Sequence, residues 1–310
     1  MSKPPMIPLM LLLSLACVSA QERGNPAASQ AGAGQAVNSG RLRQIIPGHY
    51  VYSTTNAGRV FSSGVIVTSE GVLVVDALDS EATARAERAA ISSTIEKPVR
   101  YLVSSSFHDP FSKGNLAYAD VFKIGHENYR TGLLDQMGRG GASAGEQRAR
   151  LPTETFRDRV TLHFGGKEIQ VLYFGRAHTQ GDAIIFVPED RIAYLSEVFF
   201  LDEFPNMAQG FGVSWLRVLD GLEALGADIF VPGHGPIPED PRATRAGLHR
   251  LRQILVDARD AIQNEVARGA SEDQTVAAVT LQQYEKLPTY GAQREVSVRR
   301  MYKELKGALP

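Results

Sequence analysis

Cysteine is almost missing: Cys17 is the only one in 310 residues. The chain therefore forms no internal disulfide, and no thiolate cluster is available to bind a metal. An excess of charge of one sign is missing too, since 33 Lys and Arg stand against 34 Asp and Glu for a formal net charge of -1. Without a cationic stripe nothing displaces counterions from a phosphate backbone, so no nucleic-acid partner is expected. The pair Arg299–Arg300 is too short to change this and reads as a solvated helix face. The apolar run Met6 to Ala16 falls short of the ~20 residues that span a bilayer, so no transmembrane span is expected after processing. Ser104-Ser105-Ser106 lacks a surrounding Gly-x-Ser-x-Gly elbow, which removes the serine-hydrolase reading.

What is there has the balance of a globular protein, with 43% hydrophobic and 22% charged residues. The length suits one large α/β domain or two small ones. Residues 1–20 read as an export signal: Lys3 supplies the positive start, Met6 to Ala16 the apolar stretch, and Val18-Ser19-Ala20 a small-residue cleavage site before Gln21. Leu15-Ala16-Cys17 offers a second reading, a lipobox whose cysteine carries a lipid anchor, with Ser14 where a leucine is usual. The expected location is thus periplasmic or secreted, or membrane-anchored through Cys17. Residues 21–40, rich in Gln, Ala, Gly, Ser and Asn, suit a tether in either case.

The folded region begins near Ile45. Segments 49–54, 58–68 and 72–77 carry strand composition, with Ser69-Glu70-Gly71 as a hairpin turn. A helix is expected over 79–96, capped at Asp79 or Ser80 and closed before Pro98. Val99 to Ser105 returns as a strand, which favours a layered α/β domain. A helix start and a glycine-rich insertion occupy 131–153. Strands follow over 159–164, 168–174, 183–187 and 191–195, then a helix from Trp215 to Leu225 and a buried strand from Asp228 to Val231. From Pro241 the pattern is helical, with Leu248, Leu251, Ile254, Leu255, Ala258 and Ile262 on one stripe. The two batches of strands suit two sheets packed face to face with helices outside.

Three histidines stand where a strand gives way to a loop: His108, His178 in Gly175 to Asp182, and His234 in Val231-Pro232-Gly233-His234-Gly235. A rigid sheet aims such loop residues at one point from distant places in the chain. His49, His126, His163 and His249 lack that placement and read as structural or solvated.

The sequence resembles the metallo-β-lactamase superfamily on four motifs taken in order. These are Gly64-Val65-Ile66-Val67 with Gly71 to Asp76, Lys97 to Val103, Ala177-His178-Thr179-Gln180-Gly181-Asp182, and Pro232-Gly233-His234-Gly235. The resemblance implies an αβ/βα four-layer sandwich over residues 41–240, with residues 241–310 as helices packed on the same domain. It also implies a metal motif, His-x-His-x-Asp-His, which this chain keeps only in part. Anchored on Gly114-Asn115, the motif puts Ser106 at the first histidine, His108 at the second, Pro110 at the aspartate and Phe111 at the last histidine. Glu197 falls where the family has its bridging aspartate.

By that carry-over one family metal site keeps two of its three ligands and the other keeps one, so two metals are not expected. The candidate ligands are His108, His178, Glu197 and His234, for at most one ion, zinc first. Asp182 and Ser106 are expected just behind them, and Asp109 is an alternative acid if the loop slips by one residue. In the resembled family the tail helices form a cleft wall, so Tyr284 and Tyr290 either face substrate or pack in the core. Two functions remain open. One is an exported single-metal hydrolase of a small ester, thioester or lactam-like molecule. The other is a non-catalytic binding or scaffolding protein on the same fold, since function belongs to the site rather than the fold.

Overall fold

The structure, a computed structural model, describes residue 1 and residues 40–309. The leader and tether expectations fall on residues 2–39, outside the described ones. Arg41–Ile46 (β1) and His49–Asn56 (β2) open an antiparallel run that continues through Arg59–Val67 (β3) and Val72–Val75 (β4). The hairpin read at Ser69–Gly71 is present: Thr68 donates from its backbone N–H and its hydroxyl to the Gly71 carbonyl, at 2.9 and 3.0 Å. Glu81–Ile95 (α1) starts at Ser80, whose hydroxyl accepts the Thr83 N–H at 3.1 Å. This bond satisfies one of the donors that every helix start leaves open.

Val99–Ser104 (β5) returns parallel to β4, followed by Asp109–Ser112 (α2), Phe122–His126 (β6), Glu127–Arg139 (α3), Ala144–Arg150 (α4) and Glu154–Phe156 (β7). Helix α3 begins four residues before the expected start because the His126 ring accepts the Asn128 N–H and caps it. The second half runs Arg159–Phe164 (β8), Lys167–Leu172 (β9), Ile184–Val187 (β10), Ile192–Phe200 (β11), Gly212–Ala224 (α5) and Ile229–His234 (β12). Thr244–Ala267 (α6), Glu272–Ala278 (α7) and Tyr290–Leu305 (α8) complete it.

The strands join in the order β7-β6-β5-β4-β3-β12-β11-β10-β9-β8, with β2 also on β3 and β1 on β2. The two halves of this path meet at β3 and β12, whose ladder is the single pair His234–Phe61. They fold face to face. Val51, Ile66, Val75 and Val103 from one half pack with Ile169, Ile185, Tyr194 and Val231 from the other. Outside the first half, Val65, Val74 and Leu102 pack with Ala84 and Ile91 of α1. Outside the second, Ala193, Leu195 and Phe230 pack with α5, α6 and α8 through Trp215, Leu255 and Met301. Helix, sheet, sheet, helix: this is the αβ/βα sandwich.

The whole stripe expected on α6 is buried, and each such side chain is worth roughly 1.5–3 kcal/mol over leaving it in water. Tyr290 and Tyr284 both pack against this core, Tyr290 with its ring on Phe204 and Tyr284 with its hydroxyl donating to Asp257 at 2.6 Å. Among the described residues no helix is long and apolar enough to cross a membrane.

Candidate metal centre

The seam between the halves gathers two loops and a strand. The first leaves β5, where the buried Asp76 carboxylate accepts the Ser105 N–H at 2.7 Å and the Ser105 hydroxyl at 2.6 Å. That grip fixes the chain just before Ser106, and His108 follows as the cap residue of α2. The second loop joins β9 to β10 and carries His178. Asp182 pins it by accepting the Thr179 N–H at 2.7 Å and the Thr179 hydroxyl at 2.5 Å. The third element is β11, whose ladder with β12 breaks at Ser196, a residue in the left-handed region at φ 47°. This bulge turns Glu197 toward the seam. It needs Gly233 on β12, since a Cβ there would lie 2.5 Å from the Ser196 backbone carbon.

His108, His178 and Glu197 converge, offering ligand atoms that all lie within 4.8 Å of one another. His108 Nδ1 donates to Glu197 Oε2 at 2.8 Å, and His178 Nδ1 stands 3.4 Å from the same oxygen. That His178 nitrogen is buried and lacks a hydrogen bond of acceptable geometry among the described residues. Ser106 donates its hydroxyl to Glu197 Oε2. His234 Nε2 lies 3.2 Å from the other oxygen, Oε1. Burial alone would push the Glu197 carboxyl up, yet the histidines at 178 and 108 hold it well below the usual carboxylate range.

The reciprocal effect falls on His108. Burial disfavours its charge, but the Glu197 carboxylate and the bonds to Glu197 and Gln209 Oε1 (3.2 Å) outweigh burial and lift it to about 9. His234 moves the other way, lowered chiefly by burial. Burial also raises Asp182, against the charge of His178 and the two Thr179 bonds.

Of the four expected ligands, then, three form one cluster and His234 stands beside it on the far oxygen of Glu197. Ser106 touches Glu197 directly. Asp182 serves the His178 loop through Thr179. Pro110 lies in the first turn of α2, and Phe111 is fully buried with its ring 5.3 Å from that of His234. Asp109 turns to Gln136 (2.7 Å), Lys113 (2.9 Å) and Arg150 (3.4 Å) rather than to the cluster.

The other histidines keep their structural reading. His49 bridges Asp190 and the Tyr194 hydroxyl, His126 donates to the Arg157 carbonyl and stacks on Tyr173, and His249 pairs with Glu223 on the surface. Sequence reasoning missed Arg59, Glu203 and Gln209. Arg59, His108, Glu197, Gln209 and His234 line a cavity of about 300 Å³, and no local motif marks Arg59 or Gln209 for that role.

Comparison with known proteins agrees with this architecture. A family model described as the metallo-beta-lactamase superfamily matches residues 58–234. A linear primary-alkylsulfatase of Pseudomonas sp. (strain ATCC 19151) is 24% identical over 243 residues, 64% of this chain and 44% of that protein. A type 2 metallo-beta-lactamase of Elizabethkingia meningoseptica is 27% identical over 164 residues, 51% of this chain and 62% of that protein. The chain thus spans about half the length of the curated relatives it matches. Among solved structures, a metallo-beta-lactamase from Pontibacter korlensis superposes with a TM-score of 0.59 at 18% identity, covering 70% of this chain and 99% of its own. At that identity the likeness is one of fold.

Proposed function

This chain belongs to the metallo-beta-lactamase superfamily, and on that premise we propose that it is a hydrolase working with one divalent ion held by His108, His178 and Glu197. Zinc is the first candidate, since two histidines and a carboxylate form a ligand set that leaves zinc a position open for water or substrate. The observation that carries the reading is the convergence of the three groups, with ligand atoms within 4.8 Å of one another, which leaves His178 Nδ1 a buried nitrogen without a hydrogen bond that a cation would satisfy. A bound ion there would polarise a substrate oxygen and make a water more acidic.

The chain's own groups do the rest. Ser106 orients Glu197 Oε2, Gln209 holds the outer nitrogen of His108, and Phe200 and Trp215 flank the His178 ring and keep water from that side. The cavity suits a small substrate, at the low end of ligand-site volumes. A small ester, thioester or lactam-like molecule fits this reading, and the relatives named for alkyl sulfates and β-lactams keep both bond types in view. Export rests on the sequence features of residues 1–20, with lipidation at Cys17 as the alternative.

A second reading, a binding protein without catalysis, draws on Pro110 and Phe111, which leave no acid or ligand in the positions the family motif would give them. Elemental analysis of the dialysed protein separates the two. About one ion per chain, lost in His178→Ala, supports the hydrolase reading and warrants a substrate screen. Because an ion at His108 Nδ1 displaces a proton, uptake should strengthen as pH rises. No metal, together with no thermal shift on adding zinc, turns the choice to the binding protein. Two tightly held zinc ions would overturn the single-metal site.

A further inference from the structure

His234 borders the cluster without joining it, and its neighbours explain the separation. Arg59, at the start of β3, places Nη2 3.2 Å from His234 Nδ1. A guanidinium carries only donors, so Nδ1 must supply the lone pair and the ring proton sits on Nε2. That nitrogen then donates to Glu197 Oε1 at 3.2 Å. His108 is also bonded at both nitrogens, but its Nδ1 faces Oε2, the oxygen the cluster shares, whereas His234 turns Nε2 to Oε1 and Nδ1 to a guanidinium whose charge would repel a cation. Arg59 is itself held, since its Nε and Nη2 both reach Oε2 of the buried Glu203, at 2.9 and 2.7 Å. Aromatic rings fix the imidazole: Phe200 stacks on it at 4.2 Å, with Phe61 and Phe111 edge-on at 5.1 and 5.3 Å.

We propose that Arg59 and His234 are positioning residues for the Glu197 carboxylate and stand outside the metal shell. The inference rests on the single-ion reading and refines its ligand set. Glu197 is divided by task. Oε1 is anchored by His234, which leaves Oε2 facing His108 Nδ1, His178 Nδ1 and the Ser106 hydroxyl. Arg59 sets the tautomer, the tautomer sets the carboxylate, and the carboxylate presents one oxygen to the ion. Such outer partners commonly tune a metal site as strongly as they orient it.

Long-range ¹H–¹⁵N spectra of the labelled full chain, recorded before and after adding zinc, read the tautomer directly, with His234→Gln assigning the signal. The expected result is a protonated Nε2 and a bare Nδ1 at His234 in both spectra, while the ring nitrogens of His108 and His178 move with zinc. Zinc affinity by competition with a chromophoric chelator gives the second readout. Arg59→Met should weaken binding about 10- to 100-fold, as loss of an outer partner does, and Arg59→Lys should recover part of it. His234→Gln, whose amide still donates to Glu197, should cost far less than His178→Ala. A protonated Nδ1, a His234 signal that moves with zinc as His108 does, or a His234→Gln loss equal to that of His178→Ala would each overturn the proposal. If zinc moves none of the three histidines, the metal reading falls, and the zinc-free tautomer still decides the positioning role by itself.

Discussion

At Phe111 an aromatic ring stands where the resemblance to the family motif implies a histidine. The ring is fully buried, 6.1 Å from Phe61 and 5.3 Å from His234, and the residue's carbonyl accepts the Ala77 N–H at 3.1 Å. The ring thus makes the space beside His234 part of the packed core. Phe111→Ala should therefore lower the free energy of unfolding by about 3–5 kcal/mol, the usual cost of emptying a buried phenylalanine site, measured by urea denaturation. A loss below about 0.5 kcal/mol, typical of surface changes, would show that the ring is not part of the packed wall. His108, His178 and His234 could be picked from sequence because each sits where a strand gives way to a loop, and Glu197 because it falls where the resembled family has its bridging aspartate. Arg59 could not. Its partners Glu203 and His234 lie 144 and 175 residues further along, and only the closing of the two halves makes them neighbours.

Strands β11 and β12 show the same logic one scale up. Their ladder is regular from Ile192–Ile229 to Tyr194–Val231, then breaks at Ser196 to aim Glu197 into the seam. The break works because Gly233 brings bare backbone against Ser196. Gly233→Ala forces one strand away from the other, so it should destabilise the fold by about 1–3 kcal/mol, as overpacking does. It should also weaken zinc binding, because Glu197 moves with the bulge. Thermal denaturation and chelator competition check the two effects, and unchanged affinity in a destabilised variant would separate the bulge from the site. Elements with strong local signals were legible. Asp79 or Ser80 before an acidic first turn marked α1, Ser69-Glu70-Gly71 marked the hairpin, and the apolar stripe marked α6. Strand β7, three residues long, and β1, with one buried residue in six, lack the alternation that reveals a half-buried strand. The early start of α3 depends on a histidine cap, which is outside the usual capping residues.

Across the whole molecule, buried ionisable groups tie stability to pH, and Glu87 gives the cleanest case away from the metal centre. It lies under β3 on the inner face of α1, fully buried, and accepts bonds from the hydroxyls of Ser63 and Tyr118. Burial pushes its carboxyl up to about 8, the two hydroxyls pull the other way, and the Asp76 charge adds to the rise. Unfolded, the same group titrates near 4.5. Between those values the folded chain keeps a proton that the unfolded chain has released, so this contribution to stability is complete below about 4.5, falls as pH rises toward 8, and is flat above. His108, lifted to about 9, adds loss of the same sign at higher pH, whereas Glu197, held low, loses its contribution only as pH falls. A melting curve of the native chain mixes all three. Glu87→Gln isolates one, because the amide keeps the shape and cannot ionise. Measured from pH 4 to pH 9, the melting temperature of Glu87→Gln relative to the unmodified chain should climb steadily through the middle of the range and level off near pH 8. A difference that stays constant would mean that Glu87 is ionised in the folded chain throughout, with Ser63 and Tyr118 donating to a permanent charge.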